Sequence, residues 1–567
     1  MDRKAFVSAL LPATLKTATA KKLPNPNGIA PKNEMPVPNS GLAPFTGSWN
    51  RNEVMHLLKR LTFGAPKEEV DYFSTLSFTQ AIDLLLNTTN TNPGEPLKHY
   101  NTDVLTPAND LDWSLPIGKP WVNTMSSDGG VNAVRVQSLK CWWLHNMITQ
   151  PRSIEEKMIL FWSTHLAVEF DTVSNGINCY RYLSLLRQYA LGNFKAFVKQ
   201  MTLNPAMLGY LNGVNNQKNA PDENYARELQ ELFTLGKGPD SLYTEADVKA
   251  AAKVLTGWRV QNGNAYFTLS RHDVTNKQFS SFYNNTVITG QNSANGGELE
   301  LDAMLNMIFQ KEEVSKYMCR RFYRFFVFGD ISPTVENEII TPLAATFRDV
   351  GYQVKPVLEQ LFKSEHFFDV LTQGAMIKGP IDFLVGAMRE FKVKMPPAAN
   401  TLVYYRHLNY FRDQAGIMEQ NLGDVPNVSG WPAYYQQPLY DSLWINTDTY
   451  TKRQSFITTL LNGYTNTSQR SIADVIELAR RMPNPSDPNA LVADMALYFL
   501  RIPLLPETLQ RIKVDILLTG QNSDYYWTNA WNSYLNNPFN TSVYNEMYTR
   551  LRSLVSYMMN MEEYHLM

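Results

Sequence analysis

Glu228 and Glu231 stand three residues apart in the stretch PDENYARELQELFTLG, Pro221 to Gly236. Paired carboxylates suit acid/base cleavage of a glycosidic bond, one group donating a proton while the other stays ionised. At about 100° per residue around a helix, Asn224, Arg227, Glu228 and Glu231 fall on one side. Tyr225, Ala226, Leu229, Leu232 and Phe233 fall on the other. Glu223 and Arg227, four apart in the favourable order, fit a surface ion pair worth about 0.3–0.5 kcal/mol. A solvated helix face explains this spacing without any site. As chemistry, Arg227 would hold an anionic group and Asn224 would contact a substrate.

Other candidates lie elsewhere in the chain. His165 sits among Phe161, Trp162 and Leu166, where a hydrogen-bonded core histidine competes with a base or ligand. His272 and Asp273 are adjacent, with Lys277 four residues on. A histidine beside an acid can serve as a general base or an oriented metal ligand, while Asp273 could equally cap a turn with His272 exposed. If these groups converged with Glu228 and Glu231, three of them would suit an open Zn²⁺ or Fe²⁺ position, so a divalent metal is a candidate cofactor. Trp431 in PNVSGWP and Trp444 in LWIN, near Asn446 and Arg453, could stack on sugar rings. A Pro/Gly loop pinned by tryptophan packing is the simpler account. The chain has no H-E-x-x-H helix, G-x-S-x-G elbow, Walker loop or dinucleotide-binding glycine turn.

The elements that must position these residues are mostly helical. NRNEVMHLLKRLTFG repeats apolar residues at Val54, Leu57, Leu58 and Leu61, then meets Gly64 as a stop. Ser153 with Glu156 reads as a capping box opening a helix that is apolar on most sides, which predicts deep burial. Thr244 with Asp247 reads as a second box, opening a helix that stops at Gly257. Residues 259–297 lose the helical period and predict a small irregular or β excursion. The expected fold is mainly α, a many-helix globular array: a main domain over 49–470 and a C-terminal helical bundle over 471–567 packed on it.

Composition narrows the function classes. Lys plus Arg total 52 against 53 for Asp plus Glu, with no long basic run, so nucleic acid is not an expected partner. No stretch reaches the ~18 apolar residues of a membrane helix. Cys141, Cys179 and Cys319 are few, scattered and odd in number, which predicts free buried thiols rather than disulfides or a cysteine zinc site. The start, MDRKAFVSALLPATLKTATAKK, has Arg3 and Lys4, a short apolar run and small residues to Ala20. That order describes an export signal over 1–20, with a twin-arginine-like Arg3-Lys4-Ala5-Phe6-Val7. Residues 21–48, rich in Pro, Gly and Asn, read as an extended linker or surface arm.

A series of phrases then carries a resemblance. HLLKRLTFG (56–64), EEKMILFWSTHL (155–166), NPAMLGYLNG (204–213) and ENYARELQELFTLG (223–236) occur in order. YTEADVKAAAKVLTGW (243–258), HDVTNK (272–277), CRRFYRFFV (319–327) and PNVSGWP (426–432) follow, with EEYHLM at the C-terminus. Together they resemble the large bacterial family catalogued as domain of unknown function 1800. The resemblance implies an exported protein, and one commonly encoded beside a family similar to sulfatases. Many relatives carry a histidine where Ser163 stands, and some where Phe233 stands, so a histidine-rich centre would be thinner here. The expectation is an exported acid/base or metal-assisted enzyme acting on an extracytoplasmic polymer such as a polysaccharide. The alternative is a non-catalytic exported binding or maturation partner of a sulfatase-like protein, with the polar stripe as a structural clamp.

Overall fold

A computed structural model describes residues 40–87, 92–100 and 112–567. The expected export signal lies outside the described residues, as does the arm up to residue 39. Residues 40–45 run along segment 363–369: Phe45 N–H donates to Lys363 O and Glu365 N–H to Ala43 O, both at 2.8 Å. Helices make up 57% of the structure and short strands 6%, so the fold is mainly α.

Helix α1 (Arg51–Leu61) starts on the Asn50 side chain, and Gly64 turns the chain away beyond it. A side chain at Gly64 would strike the Gly386 backbone at 2.8 Å. Helix α2 (Gly129–Thr149) and helix α3 (Glu155–His165) follow, and every residue of α3 is buried, as its apolar circumference predicts. Its expected capping box does not form. The Ser153 hydroxyl accepts from the Glu155 amide, while Glu156 reaches Arg187 instead. Burial and the adjacent Glu155 push the Glu156 carboxyl up, to about 7 overall, although Arg187 opposes the rise. A tertiary ion pair has taken the group that the local motif needed.

Helix α4 (Asn224–Glu228) runs without a break into a π-helix over Leu229–Thr234. Helix α5 (Glu245–Val254) opens on the expected box: the Thr244 hydroxyl accepts from the Asp247 amide, and Asp247 from the Thr244 amide. Asp247 also accepts from the backbone and hydroxyl of Ser280, both at 2.7 Å, which ties the following excursion to the helix start.

That excursion is built of two small hairpins. β1 (Trp258–Gln261) pairs antiparallel with β2 (Asn264–Phe267) across Asn262-Gly263, both at positive φ. β3 (Lys277–Gln278) pairs with β4 (Val287–Ile288). Helix α6 (Gly296–Ile308) and helix α7 (Glu312–Phe326) return the chain to the core. Helix α8 (Pro380–Glu390) packs on α2, and α9 (Thr447–Asn462) leads to a third hairpin, β5 (Tyr464–Asn466) with β6 (Gln469–Ser471). The boundary expected at 470/471 falls inside β6.

The C-terminal helix α10 (Thr541–Met559) packs on α9, and the last residues enter the protein. Lys378 N–H donates to His565 O at 2.8 Å and Met567 N–H to Met376 O at 2.9 Å. Buried charges lie beneath them. Lys59 meets Glu390 at 3.7 Å, Lys157 pairs with Asp382, and the Lys378 ammonium donates to Tyr564 O at 2.6 Å. Burial pulls Lys378 down to about 7, helped by the Lys59 charge. All three cysteines are free and buried, and no helix among the described residues is long and apolar enough to cross a membrane.

Candidate functional site

The polar stripe is only partly a regular helix face. From Leu229 the backbone follows π geometry, with the Thr234 hydroxyl donating to Leu229 O at 2.5 Å. The even 100° progression therefore stops at Glu228, and Glu231 sits on the wider turn. Single π turns inside helices are often found at functional sites. The apolar side is nonetheless as expected: Tyr225, Ala226, Leu229 and Phe233 are buried and Leu232 half-buried.

The stripe residues differ in partner. Asn224 is exposed, its amide held by the Asp222 carboxylate at 2.9 Å. Arg227 grips both oxygens of Glu245 at 2.6 and 2.7 Å and reaches Glu223 at 3.1 Å. Glu231 pairs with Lys237. Glu228 is half-buried, and its Oε2 is sealed from solvent with no hydrogen-bond partner among the described residues. Burial raises its pKa, and the Glu231 charge raises it further. Two neighbouring carboxylates thus occupy contrasting surroundings, the pattern that separates a proton donor from an ionised partner. Tyr243, raised by burial, also feels the charges of Glu231, Glu228 and Glu245.

His165 does not stand free beside them. Its Nε2–H donates to Phe233 O at 3.1 Å, and the Phe161 ring lies parallel to its own at a centroid distance of 6.0 Å. The ring is 2% exposed, and burial followed by the charge of Arg321 holds it well below the usual histidine range. The Phe233 ring lies 6.5 Å from it, centroid to centroid. Ser163 turns its hydroxyl onto Leu160 O at 2.8 Å.

His272 belongs to a different cluster. Its Nε2–H donates to Glu300 Oε1 at 3.0 Å, and Nδ1 faces the Thr256 carbonyl at 2.9 Å. Lys277 meets Glu300 Oε2 at 2.6 Å, and the side chains of His272, Lys277 and Glu300 are fully sealed. Asp273 accepts from the Thr275 amide and hydroxyl, at 2.8 and 2.5 Å, so it organises a turn. The expectation that His165 and His272 share one open pocket with the glutamates is therefore corrected. Each histidine is sealed with its own partners, and the Lys277 ammonium is committed to Glu300. Sequence reasoning missed Glu300, which carries no local motif.

The tryptophans also need correction. Trp431 and Trp444 are 6% and 4% exposed and pack against each other at 6.1 Å, leaving no open face for a sugar ring. The loop is pinned to α3: Trp431 N–H donates to the Thr164 hydroxyl at 3.0 Å. Among the described residues no group of three or more His, Cys, Asp or Glu side chains is placed to hold a metal ion.

Three of the phrases noted in the sequence thus meet near the end of α3, beside helix α7. His165 joins the π turn, the 426–432 loop sits on Thr164, and the Tyr317 hydroxyl on α7 donates to Leu232 O at 2.9 Å. No curated protein and no solved structure matches the chain. The sequence profile of the family described as "Protein of unknown function (DUF1800)" matches residues 56–566. The chain belongs to that family.

Proposed function

We propose that the protein is an exported acid/base enzyme acting on an extracytoplasmic polymer such as a polysaccharide, with Glu228 as proton donor and Glu231 as its ionised partner. The observation carrying this reading is the sealed, unpartnered Oε2 of Glu228 beside a lysine-paired Glu231. A carboxyl whose pKa is raised keeps its proton closer to neutral pH, as a general acid requires. His165 and His272 are assigned to positioning, since both are sealed from a substrate. The N-terminal sequence supports export to the periplasm or cell surface.

The test is release of new reducing ends from a panel of polysaccharides by the purified full chain. Glu228→Gln and Glu231→Gln are each expected to lower turnover by at least about a hundredfold, the scale of lost general acid/base catalysis, with no fall in melting point at neutral pH. Undiminished turnover in Glu228→Gln refutes the assignment.

One observation favours the second reading, a non-catalytic partner of a sulfatase-like exported protein. Arg227 ties the start of α4 to Glu245 on α5, as a clamp would. That contact is solvent-exposed, with Glu245 at 69%, so it is worth little on its own. A pull-down of the exported neighbour that survives Glu228→Gln, with no turnover on any polymer, selects this reading.

A further inference from the structure

Helix α7 carries Arg320, Arg321 and Arg324. Arg320 is fully engaged, holding Glu313 at 2.5 Å and Glu336 at 2.6 Å. Arg321 and Arg324 make no hydrogen bond or ion pair with any described residue. Arg321 is nevertheless only 6% exposed. Tyr317, Arg324 and Tyr435 act on it electrostatically and its charge reaches His165, with no carboxylate among these groups, and burial lowers its pKa. Arg324 is half-buried, its Nε sealed with no partner among the described residues, and its guanidinium stands 5.5 Å from the Tyr440 ring. The Tyr440 hydroxyl is itself sealed and unpartnered.

An uncompensated buried guanidinium such as that of Arg321 is costly, and the half-buried Arg324 one turn away repels it. An oxyanion would satisfy both. The guanidinium fork matches carboxylate, sulfate and phosphate oxygens. The location suits a substrate group, because Tyr317, one turn before Arg321 on α7, donates to Leu232 O at 2.9 Å in the π turn that carries Glu231.

We propose that Arg321 and Arg324 form a subsite for an oxyanion group carried by an acidic polysaccharide whose backbone reaches Glu228 and Glu231. The identity of the polymer rests on the acid/base reading; the anion site itself is read by binding, without turnover.

The experiment is calorimetric titration of the full chain with an oligogalacturonate, a sulfated oligosaccharide and a neutral galactose oligomer of similar length. An acidic oligomer is expected to bind and the neutral one not. Arg321→Gln and Arg324→Gln should each weaken binding by at least about tenfold, as loss of a charge-assisted pair implies, and Arg320→Gln by less than about twofold, since its partners are protein carboxylates. Tighter binding of the uronate names a carboxylate as the recognised group, and tighter binding of the sulfated oligomer names a sulfate ester. Equal binding of the neutral oligomer, no binding of either acidic one, or affinity indifferent to both substitutions overturns the proposal. Should Arg321→Gln fail to fold, Arg324→Gln decides the question alone. Acidic-oligomer binding lost in these variants without polymer cleavage upholds the subsite and defeats the acid/base reading; cleavage indifferent to both arginines does the reverse.

Discussion

The Nε2–H of His165 donates to the carbonyl oxygen of Phe233 across 3.1 Å, fastening the end of α3 to the π turn that follows Glu228. This bond leaves Nδ1 sealed without a partner. Only a neutral ring fits, since a second proton would sit unsolvated near Arg321.

His56, His165 and His565 share that condition. Each is buried and held well below the usual histidine range, by burial first and then by nearby arginines. With depressed folded-state values, their contribution to stability is whole above about pH 6.5 and declines as pH falls from there, because only the unfolded chain takes up protons. Each ring adds a slope of about 1.4 kcal/mol per pH unit over that window. Urea midpoints should fall steadily from about pH 6.5 to 5, and His165→Asn should remove about one proton from the slope. An unchanged slope contradicts the sealed neutral ring.

Gly430 holds the 426–432 loop against α3. Its φ is +87°, and a Cβ there would lie 2.0 Å from Thr164 O. Gly430→Ala is expected to destabilise the protein by at least about 2 kcal/mol through backbone strain and collision. Thermal melting measures this, and an unshifted midpoint would show that the loop does not press on the helix.

Glu300 holds Lys277 and His272 in a sealed site and also accepts from the Gln291 amide at 2.7 Å. Glu300→Ala leaves the buried Lys277 ammonium with only the Asp273 carboxylate, 4.0 Å away, as counter-charge. The expected loss is about 3–5 kcal/mol, the scale for breaking a buried pair. Denaturant unfolding that shows less than about 1 kcal/mol would place solvent in the cluster.

Glu228 gives the opposite sign. Its folded-state pKa is raised by burial and by Glu231, so its stabilising contribution is present below about pH 4.3 and lost as pH rises through the folded value. At neutral pH the ionised form is therefore a burden that Glu228→Gln removes. The variant should melt at or above wild type at about pH 7, and the gap should close near about pH 4. A lower melting point at neutral pH would make Glu228 a structural clamp.

Several local features were legible because local chemistry alone decides them. The Thr244–Asp247 box forms as spelled, and Gly64 takes the positive φ that a chain reversal needs. The buried helix at Glu155–His165 follows from its apolar circumference. The 259–297 excursion was expected as a small irregular or β segment, and Asn262-Gly263 supplies the positive φ values of its first tight hairpin.

What the sequence determined by itself was therefore the run of helices, their caps, and a stripe of carboxylates that short-range periodicity places on one side. Tertiary structure alone decided which polar groups are spent. Glu156 left its box for Arg187, and Lys277 went to a glutamate 23 residues away. The carbonyls of Leu232 and Phe233, which end the π turn, are satisfied by Tyr317 and His165 from distant helices. The reason is physical: a charge is settled by what lies within a few ångströms in space, and separation along the chain does not encode that distance. Among the described residues the same principle leaves Arg321 and Arg324 without a carboxylate partner, which no local pattern announces.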